Sequence, residues 1–454
     1  MRYGIAAFLW FGVTVLLAAG CGKQVPPPPA GPPAAPPSAT RSEAFTGTAS
    51  CSGRACHGSI EPHAGQLILQ NEHTTWITLD RHNTAYAVLK NERSQRIARN
   101  LRLEKPAHEA TECLVCHTTP LAATSDTPLA LDERQTGVGC ESCHGSAVDY
   151  LALHTTTAWT KLSKEEKQKH GMTPLDDVTL RAQTCTGCHI GSGPVPGVPA
   201  RDVNHDLIAA GHPRLGFEFA AFTLNTPPHW NTAQKKMDEE KFWAVGQLVS
   251  ARAALELLAY RASGEITDQK PWPEFAEYDC YACHHLLLTD SARQERGYGG
   301  FLPGSLPWSE WYNYMPHTLA GLPGDLGNKK VAENLDQLQR LMRVPDANRA
   351  GIAATAKTGA ALLGDWSQRW EGKLPPRAEL RPLLLKQPRT TWDQATQFYL
   401  GLSALSDPND ATDKAALASI YRYLQFHNAD EFRYHSPREF RVEDFNQLLK
   451  VLER

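Results

Sequence analysis

The sequence predicts a mainly α-helical protein with much irregular structure, followed by an all-α C-terminal domain. Three observations support this prediction. A cysteine–histidine motif occurs five times between positions 51 and 284, apolar residues recur at helical spacing in several segments, and no cysteine follows position 283.

Each motif contains two cysteines, and a histidine directly follows the second one. Four of the motifs are strict C-x-x-C-H, the attachment signature of c-type haem. Two thiols add to the vinyl groups of one porphyrin, and the adjacent histidine becomes the proximal iron ligand. The sequence therefore predicts five covalently bound haem c groups, held by Cys51, Cys56 and His57; Cys113, Cys116 and His117; Cys140, Cys143 and His144; Cys185, Cys188 and His189; and Cys280, Cys283 and His284.

Zinc sites and disulfides are the alternatives to haem. Zinc sites built from two C-x-x-C elements do not require a histidine after each second cysteine, and disulfides have no use for that histidine. The first motif is the exception in spacing, since four residues separate Cys51 from Cys56. A local disulfide is its alternative, and the intact Cys56-His57 pair favours haem.

The N-terminal residues predict a lipoprotein signal peptide over residues 1–20. A basic start, an apolar run and the sequence Leu17-Ala-Ala-Gly-Cys21 resemble a bacterial lipoprotein box. Cleavage would leave Cys21 as a lipid-bearing N-terminus, and the alternative is an uncleaved anchor helix. A Pro/Ala-rich tether follows over residues 21–48. We therefore expect an extracytoplasmic, periplasmic location with a lipid anchor in a membrane.

Two further domains are expected, a pentahaem domain over residues 49–324 and a helical domain over residues 325–454. Five haems in so short a chain must themselves form much of the core of the first domain. The formal net charge of −3 argues against a nucleic-acid partner.

Residues of the first four motifs resemble the tetrahaem cytochrome c-554 family, which is related in haem packing to the hydroxylamine oxidoreductases. The resemblance covers roughly residues 50 to 190, and the run Gly137-Val-Gly-Cys-Glu-Ser-Cys-His-Gly145 is its most specific part. It implies that His154 caps the haem of His57 and that His82 caps the haem of His144. It also implies that the iron held by His117 is open, which makes that iron the candidate reactive site.

Beyond residue 190, the distal ligands must be inferred from the residues themselves. His205 and His212 lie two helical turns apart, so each can cap one haem if their segment is helical. His229 is a third candidate for a distal ligand. No methionine stands at an obvious axial position, which favours bis-histidine ligation and low potentials. Histidines at positions 63, 73, 108, 170, 285, 317, 427 and 435 are interpreted first as surface or packing residues.

Helical spacing predicts one long helix from Asp238 to just before Gly264, with an acidic first turn. Three more helices are predicted in the cysteine-free region, over residues 331–341, 392–405 and 417–424. They suggest a docking or covering domain, through which the protein can join a complex.

Electron transfer is the favoured function, from a quinol-linked membrane donor or between redox partner proteins. The alternative is a multihaem oxidoreductase that acts on a small nitrogen or sulfur compound at the His117 haem. No C-x-x-C-K motif is present, and no acid–base cluster can be assigned, so we assign no catalytic residue. Scaffold and sensor roles are weaker alternatives.

Overall fold

A computed structural model describes residues 44–63, 65–66, 68–232, 236–267, 270–285, 305–344, 348–387, 389–425 and 440–452. These residues form helices and irregular segments, and their only strand-like pairings are isolated bridges. The predicted mainly α fold is confirmed. The signal peptide, Cys21 and the tether up to residue 43 lie outside the described residues, as do His427 and His435.

Short helices alternate with irregular chain up to residue 225, and longer helices follow. In chain order the described α-helices are α1 Glu72–Leu79, α2 Glu92–Asn100, α3 Thr111–His117, α4 Pro128–Gln135, α5 Glu141–His144, α6 Lys164–Lys169, α7 Val178–His189, α8 His205–Ala210, α9 Phe219–Asn225, α10 Glu239–Ala262, α11 Cys280–Cys283, α12 Tyr314–Leu319, α13 Lys329–Met342, α14 Arg349–Gly372, α15 Arg377–Leu385, α16 Trp392–Leu405, α17 Ala411–Leu424 and α18 Val442–Leu449. Short 3-10 helices occupy Thr48–Cys51, Arg81–Thr84, Ala87–Lys90, Pro120–Ala122, Leu153–Thr155, Trp159–Lys161 and Phe275–Glu277.

Helix α10 forms the centre of the main hydrophobic core. It packs most extensively against α14, and α7, α9 and α16 also pack against it. Trp243, Leu248 and Leu255 of α10 are completely buried. Among the described helices, α10 has the length and hydropathy of a membrane span, but 83% of its most apolar stretch is buried inside the protein. This helix is therefore the scaffold on which the flanking helices assemble.

The main core extends across the expected domain boundary at residue 324. It is one cluster that runs from Val178 on α7 to Leu452 near the C-terminus. Residues 42–454 form a single compact unit. The division into a haem domain and a helical domain stays a prediction, since the residues on both sides of the boundary share one core.

Two buried carboxylates fix the chain around the first and third motifs. Glu133 accepts hydrogen bonds from the backbone N–H and the hydroxyl of Thr48, at 2.7 and 2.8 Å. Glu141 accepts bonds from the backbone N–H groups of residues 46, 47 and 147. A Cβ atom at Gly139 would lie 2.1 Å from the Thr48 hydroxyl, so only glycine fits here. These contacts bring the first motif against the third.

Candidate haem sites

Four of the five motifs lie at the ends of helices. Helices α3, α5 and α7 end on His117, His144 and His189, and α11 ends directly before His284. The first motif is different, because its enlarged loop forms turns that lead to His57. The N–H of His73 on α1 donates to the carbonyl of His57 at 2.9 Å, which ties that turn to α1.

Each motif histidine faces a second histidine from elsewhere in the chain. The ring centroids are 6.2 Å apart for His57 and His154, 6.1 Å for His82 and His189, 6.4 Å for His117 and His212, 6.4 Å for His144 and His229, and 6.4 Å for His205 and His284.

These separations fit two imidazoles bound to opposite faces of one iron. A metal–nitrogen bond to histidine is about 2.0 Å long, so two bonds and two ring radii of about 1.1 Å place the centroids about 6.2 Å apart. Two stacked rings in direct contact would be closer. The residues present therefore fit five six-coordinate haems, with a space for one iron between the rings of each pair.

The partner of His57 agrees with the family resemblance, while two other expectations differ. His154 faces His57 as the resemblance implies. His82 faces His189 at the end of α7 and not His144. The carbonyl of His82 accepts a 2.9 Å bond from the N–H of Val138, which fixes the 3-10 helix of His82. His144 is instead faced by His229, the third choice from sequence.

The largest departure from the family pattern concerns His117. The resemblance implied an open iron there, but His212 faces this histidine. Helix α2 holds the segment in place, because Arg93 donates two hydrogen bonds to the carbonyl of Gly211, at 3.1 and 2.7 Å, and Asn100 donates to the carbonyl of Ala210. The structure thus places a second imidazole opposite His117, where it would be a ligand if this motif held a haem iron.

Helix α8 carries a ligand at each end. The two histidines do not lie on one continuous helix, since α8 ends at Ala210 and Gly211 turns the chain with φ 123°. His205, the first residue of α8, faces His284 of the fifth motif. Its N–H donates a 2.8 Å bond to Glu274, which precedes that motif. The two ends of α8 therefore reach two different haem sites.

Hydrogen bonds at Nδ1 orient five of the histidine rings. The acceptors are carboxylates for His57 and His82 and backbone carbonyls for His117, His154 and His212. A ring that donates through Nδ1 keeps its lone pair on Nε2, which is the atom an iron would bind. These bonds fix the tautomer that ligation needs.

Burial keeps several of these histidines neutral. It lowers the pKa of His144 and of His189 to about 4, and it lowers the pKa of His117, His212 and His229 as well. An iron ligand must be a neutral imidazole. Burial at these five histidines therefore favours the neutral form that binds metal, whereas hydrogen bonds to Glu72 and Asp80 raise the pKa of His57 and of His82.

No disulfide joins Cys51 to Cys56 or links any other pair of the ten motif cysteines. Their contacts show which motifs are neighbours. The Cys51 thiol is hydrogen-bonded to that of Cys140, and the Cys116 thiol to that of Cys188. Cys143 interacts electrostatically with Cys188. The first motif thus adjoins the third, the third adjoins the fourth, and the fourth adjoins the second.

The residues that orient the candidate histidine ligands were not identified from the sequence. Glu72, Asp80 and Arg93 orient histidines or the chain beside them. The proximity of Asp80 to His82 was a signal in the sequence. The contact between Arg93 and Gly211 has no such signal, because 118 positions separate the two residues.

Comparisons with known proteins support the interpretation of the motifs. The family model described as "Cytochrome c554 and c-prime" matches residues 50–145. No curated protein and no solved structure matches the chain. The family match covers the first three motifs, and it supports a multihaem c-type cytochrome with covalently bound haem c that takes part in electron transfer.

Proposed function

We propose that this chain is a pentahaem c-type cytochrome that relays electrons between redox partners and leaves no iron open for substrate chemistry. The observation that carries the proposal is the set of five histidine pairs, with ring centroids 6.1–6.4 Å apart. A six-coordinate iron exchanges electrons without binding a substrate, and bis-histidine ligation favours a low potential.

The pairing of His117 with His212 speaks against the oxidoreductase alternative. That alternative required an open iron at His117, and the ring of His212 lies where a substrate would bind. His212 is also held from two sides, by its own Nδ1 bond to the carbonyl of Pro213 and by the contacts of α2 with Gly211. The second ligand is thus a built part of the site.

The neighbouring motifs support a single line of haems whose order differs from the order along the chain. Named by their proximal histidines, the haems follow the order His57, His144, His189, His117 and His284. The thiol contacts support the first three steps. Helix α8 supports the last step, because it reaches the sites of both His117 and His284.

Solvent exposure suggests where electrons enter and leave. Cys56 and Cys283, at the two ends of this line, are exposed, whereas the other eight motif cysteines are partly covered. Electron exchange with a partner requires a haem edge near the surface. We therefore assign exchange with donor and acceptor to the His57 haem and the His284 haem.

The setting of this relay follows from the N-terminal sequence. Lipidation at Cys21 would anchor the protein to a membrane on its periplasmic side, and the tether would let the haem body reach its partners. A quinol-linked membrane donor or a redox partner protein would supply the electrons. The C-terminal helices offer a surface through which the relay can join a complex.

Haem counting tests the proposal. The purified chain should contain five covalent haems, and the double variant Cys51→Ser/Cys56→Ser should contain four. A serine substitution at Cys113 and Cys116 serves as the matched comparison, since that motif has the strict spacing. Four haems in the wild-type chain, unchanged in the Cys51 and Cys56 variant, would show that the enlarged motif holds none.

A further inference from the structure

The histidine ligands differ in the charge of the group that accepts their Nδ1 hydrogen. Glu72 accepts from His57 at 2.9 Å, and Asp80 accepts from His82 at 2.8 Å. His117 and His212, which face each other, both donate to neutral backbone carbonyls, at 2.8 and 2.9 Å. Two iron sites therefore have an anionic group behind one ligand, whereas the site of His117 has neutral acceptors behind both.

Both carboxylates are held firmly in place. Oε1 of Glu72 accepts bonds from the N–H groups of Leu69 and Gln70, at 2.7 and 3.1 Å, while Oε2 faces His57. Oδ1 of Asp80 accepts from both the N–H and the Nδ1 of His82, at 2.9 and 2.8 Å. Their side chains are only 16% and 7% exposed, so water screens the negative charges weakly.

A carboxylate behind an imidazole makes the imidazole a stronger electron donor to its metal. The stronger donor stabilises ferric iron more than ferrous iron, because the ferric ion carries the larger charge. Hydrogen bonding behind the ligands is one of the means by which a protein sets a haem potential. Each iron takes up one electron on reduction, and the Nδ1 proton stays on the imidazole throughout.

We propose that Glu72 and Asp80 are potential-setting residues, which hold the irons of His57 and His189 at lower reduction potentials than the iron of His117. This inference rests on the proposed relay function. In the order of haems given above, the His189 haem is next to the His117 haem. Electron transfer from the His189 haem to the His117 haem is then energetically downhill, which directs electrons towards the His284 haem.

The decisive variant is Asp80→Asn. Asparagine can keep an oxygen at the position of Oδ1 and so retain both bonds to His82, which means that the substitution removes the charge alone. We expect the equilibrium constant for the ferric over the ferrous form of one haem to fall about tenfold. This is the lower end of the effect typical for groups behind metal ligands. A tenfold change corresponds to an upward shift of about 59 mV in one midpoint potential.

Glu112→Gln is the matched control. Glu112 is an exposed carboxylate next to Cys113 of the second motif. Its substitution by glutamine removes the same charge beside a haem without changing a group that contacts a ligand. Redox titration followed by electron paramagnetic resonance (EPR) should show one shifted component in the Asp80 variant and none in the control. Equal shifts in both variants, or no shift in the Asp80 variant, would overturn the proposal.

Glu72→Gln gives a second, independent measurement. The planes of His57 and His154 are 11° apart, whereas those of His82 and His189 are 84° apart. Perpendicular imidazole planes give a more anisotropic low-spin ferric EPR signal than parallel planes do. The Glu72 variant should therefore raise the midpoint of a near-parallel signal, and the Asp80 variant that of a perpendicular one.

These measurements separate the inference from the proposed function. If wild-type protein contains five low-spin haems but neither variant shifts a midpoint, the relay stands and the role of the carboxylates is refuted. If wild-type protein contains an open iron or fewer haems, the proposed function fails first. A midpoint shift without loss of low-spin signal is a result that a purely structural role would not give.

Discussion

Replacing His212 with alanine should open one iron and no other. The ring of His212 lies 6.4 Å from that of His117, and the chain just before it is held by hydrogen bonds from α2 to the carbonyls of Ala210 and Gly211. Alanine removes the ring without removing those backbone contacts. The remaining four histidine pairs are formed by other residues, so they should be unaffected.

The expected magnitude follows from the number of pairs. One open iron among five corresponds to conversion of about a fifth of the haem from low spin to high spin, since a ferric haem with one imidazole and an open face has a weaker ligand field. Added imidazole should enter the space left by the missing ring and restore the low-spin signal. Nitric oxide should bind to the same fraction of the haem.

Resonance Raman or EPR spectroscopy of the oxidised protein measures that fraction. His63→Ala is the matched control, because His63 is an exposed histidine near the first motif and should leave every haem low-spin. The reasoning is refuted if His212→Ala remains fully low-spin in the absence of added ligands. A high-spin fraction of the same size in wild-type protein would refute it too.

Three further predictions concern stability, geometry and location. Burial raises the pKa of Glu218 to about 7, so the folded protein keeps a proton that the unfolded chain loses near pH 4.5. The free energy of unfolding should therefore fall by about 3 kcal/mol as the pH rises from 4.5 to 7. The same pH dependence of melting in wild type and Glu218→Gln across that range would contradict this. Gly211→Ala should destabilise the turn by about 1–3 kcal/mol and raise the high-spin fraction by displacing His212, because φ at this position is 123°; an unchanged spectrum and melting temperature would show that the turn tolerates a side chain. Cys21→Ser should release the protein from membranes into the soluble fraction, and unchanged membrane association would refute the lipid anchor.

Helices with large apolar residues at helical spacing could be predicted from the sequence. The long helix expected after Asp238 is α10, Glu239–Ala262, and the segment at 392–405 is α16, Trp392–Leu405. Helix α14, Arg349–Gly372, was not predicted. Its buried positions recur at helical spacing, but most of them are alanine, glycine, serine or threonine, which give a weak apolar signal in the sequence.

The histidines on both sides of the candidate haem sites could be named from the sequence, but which distal histidine faces which motif could not, apart from His154 and His57. A proximal histidine is adjacent to its cysteines, so local sequence identifies it. A distal histidine depends on tertiary contacts, as the bonds from Arg93 to Gly211 show for His212. The family resemblance paired His154 with His57, and the two rings face each other in the structure. It paired His82 with His144, whereas the fold brings His82 to the end of α7, where it faces His189.

The spin state of the oxidised wild-type protein tests the central claim most directly. Five histidine pairs predict that every haem is six-coordinate, so EPR and resonance Raman spectra should show only low-spin haem, with five haems per chain. The ring planes further predict both near-parallel and perpendicular signals, since the pairs range from 11° to 89°. A high-spin component of about one haem in five that shifts on addition of nitric oxide, nitrite or hydroxylamine would contradict the account.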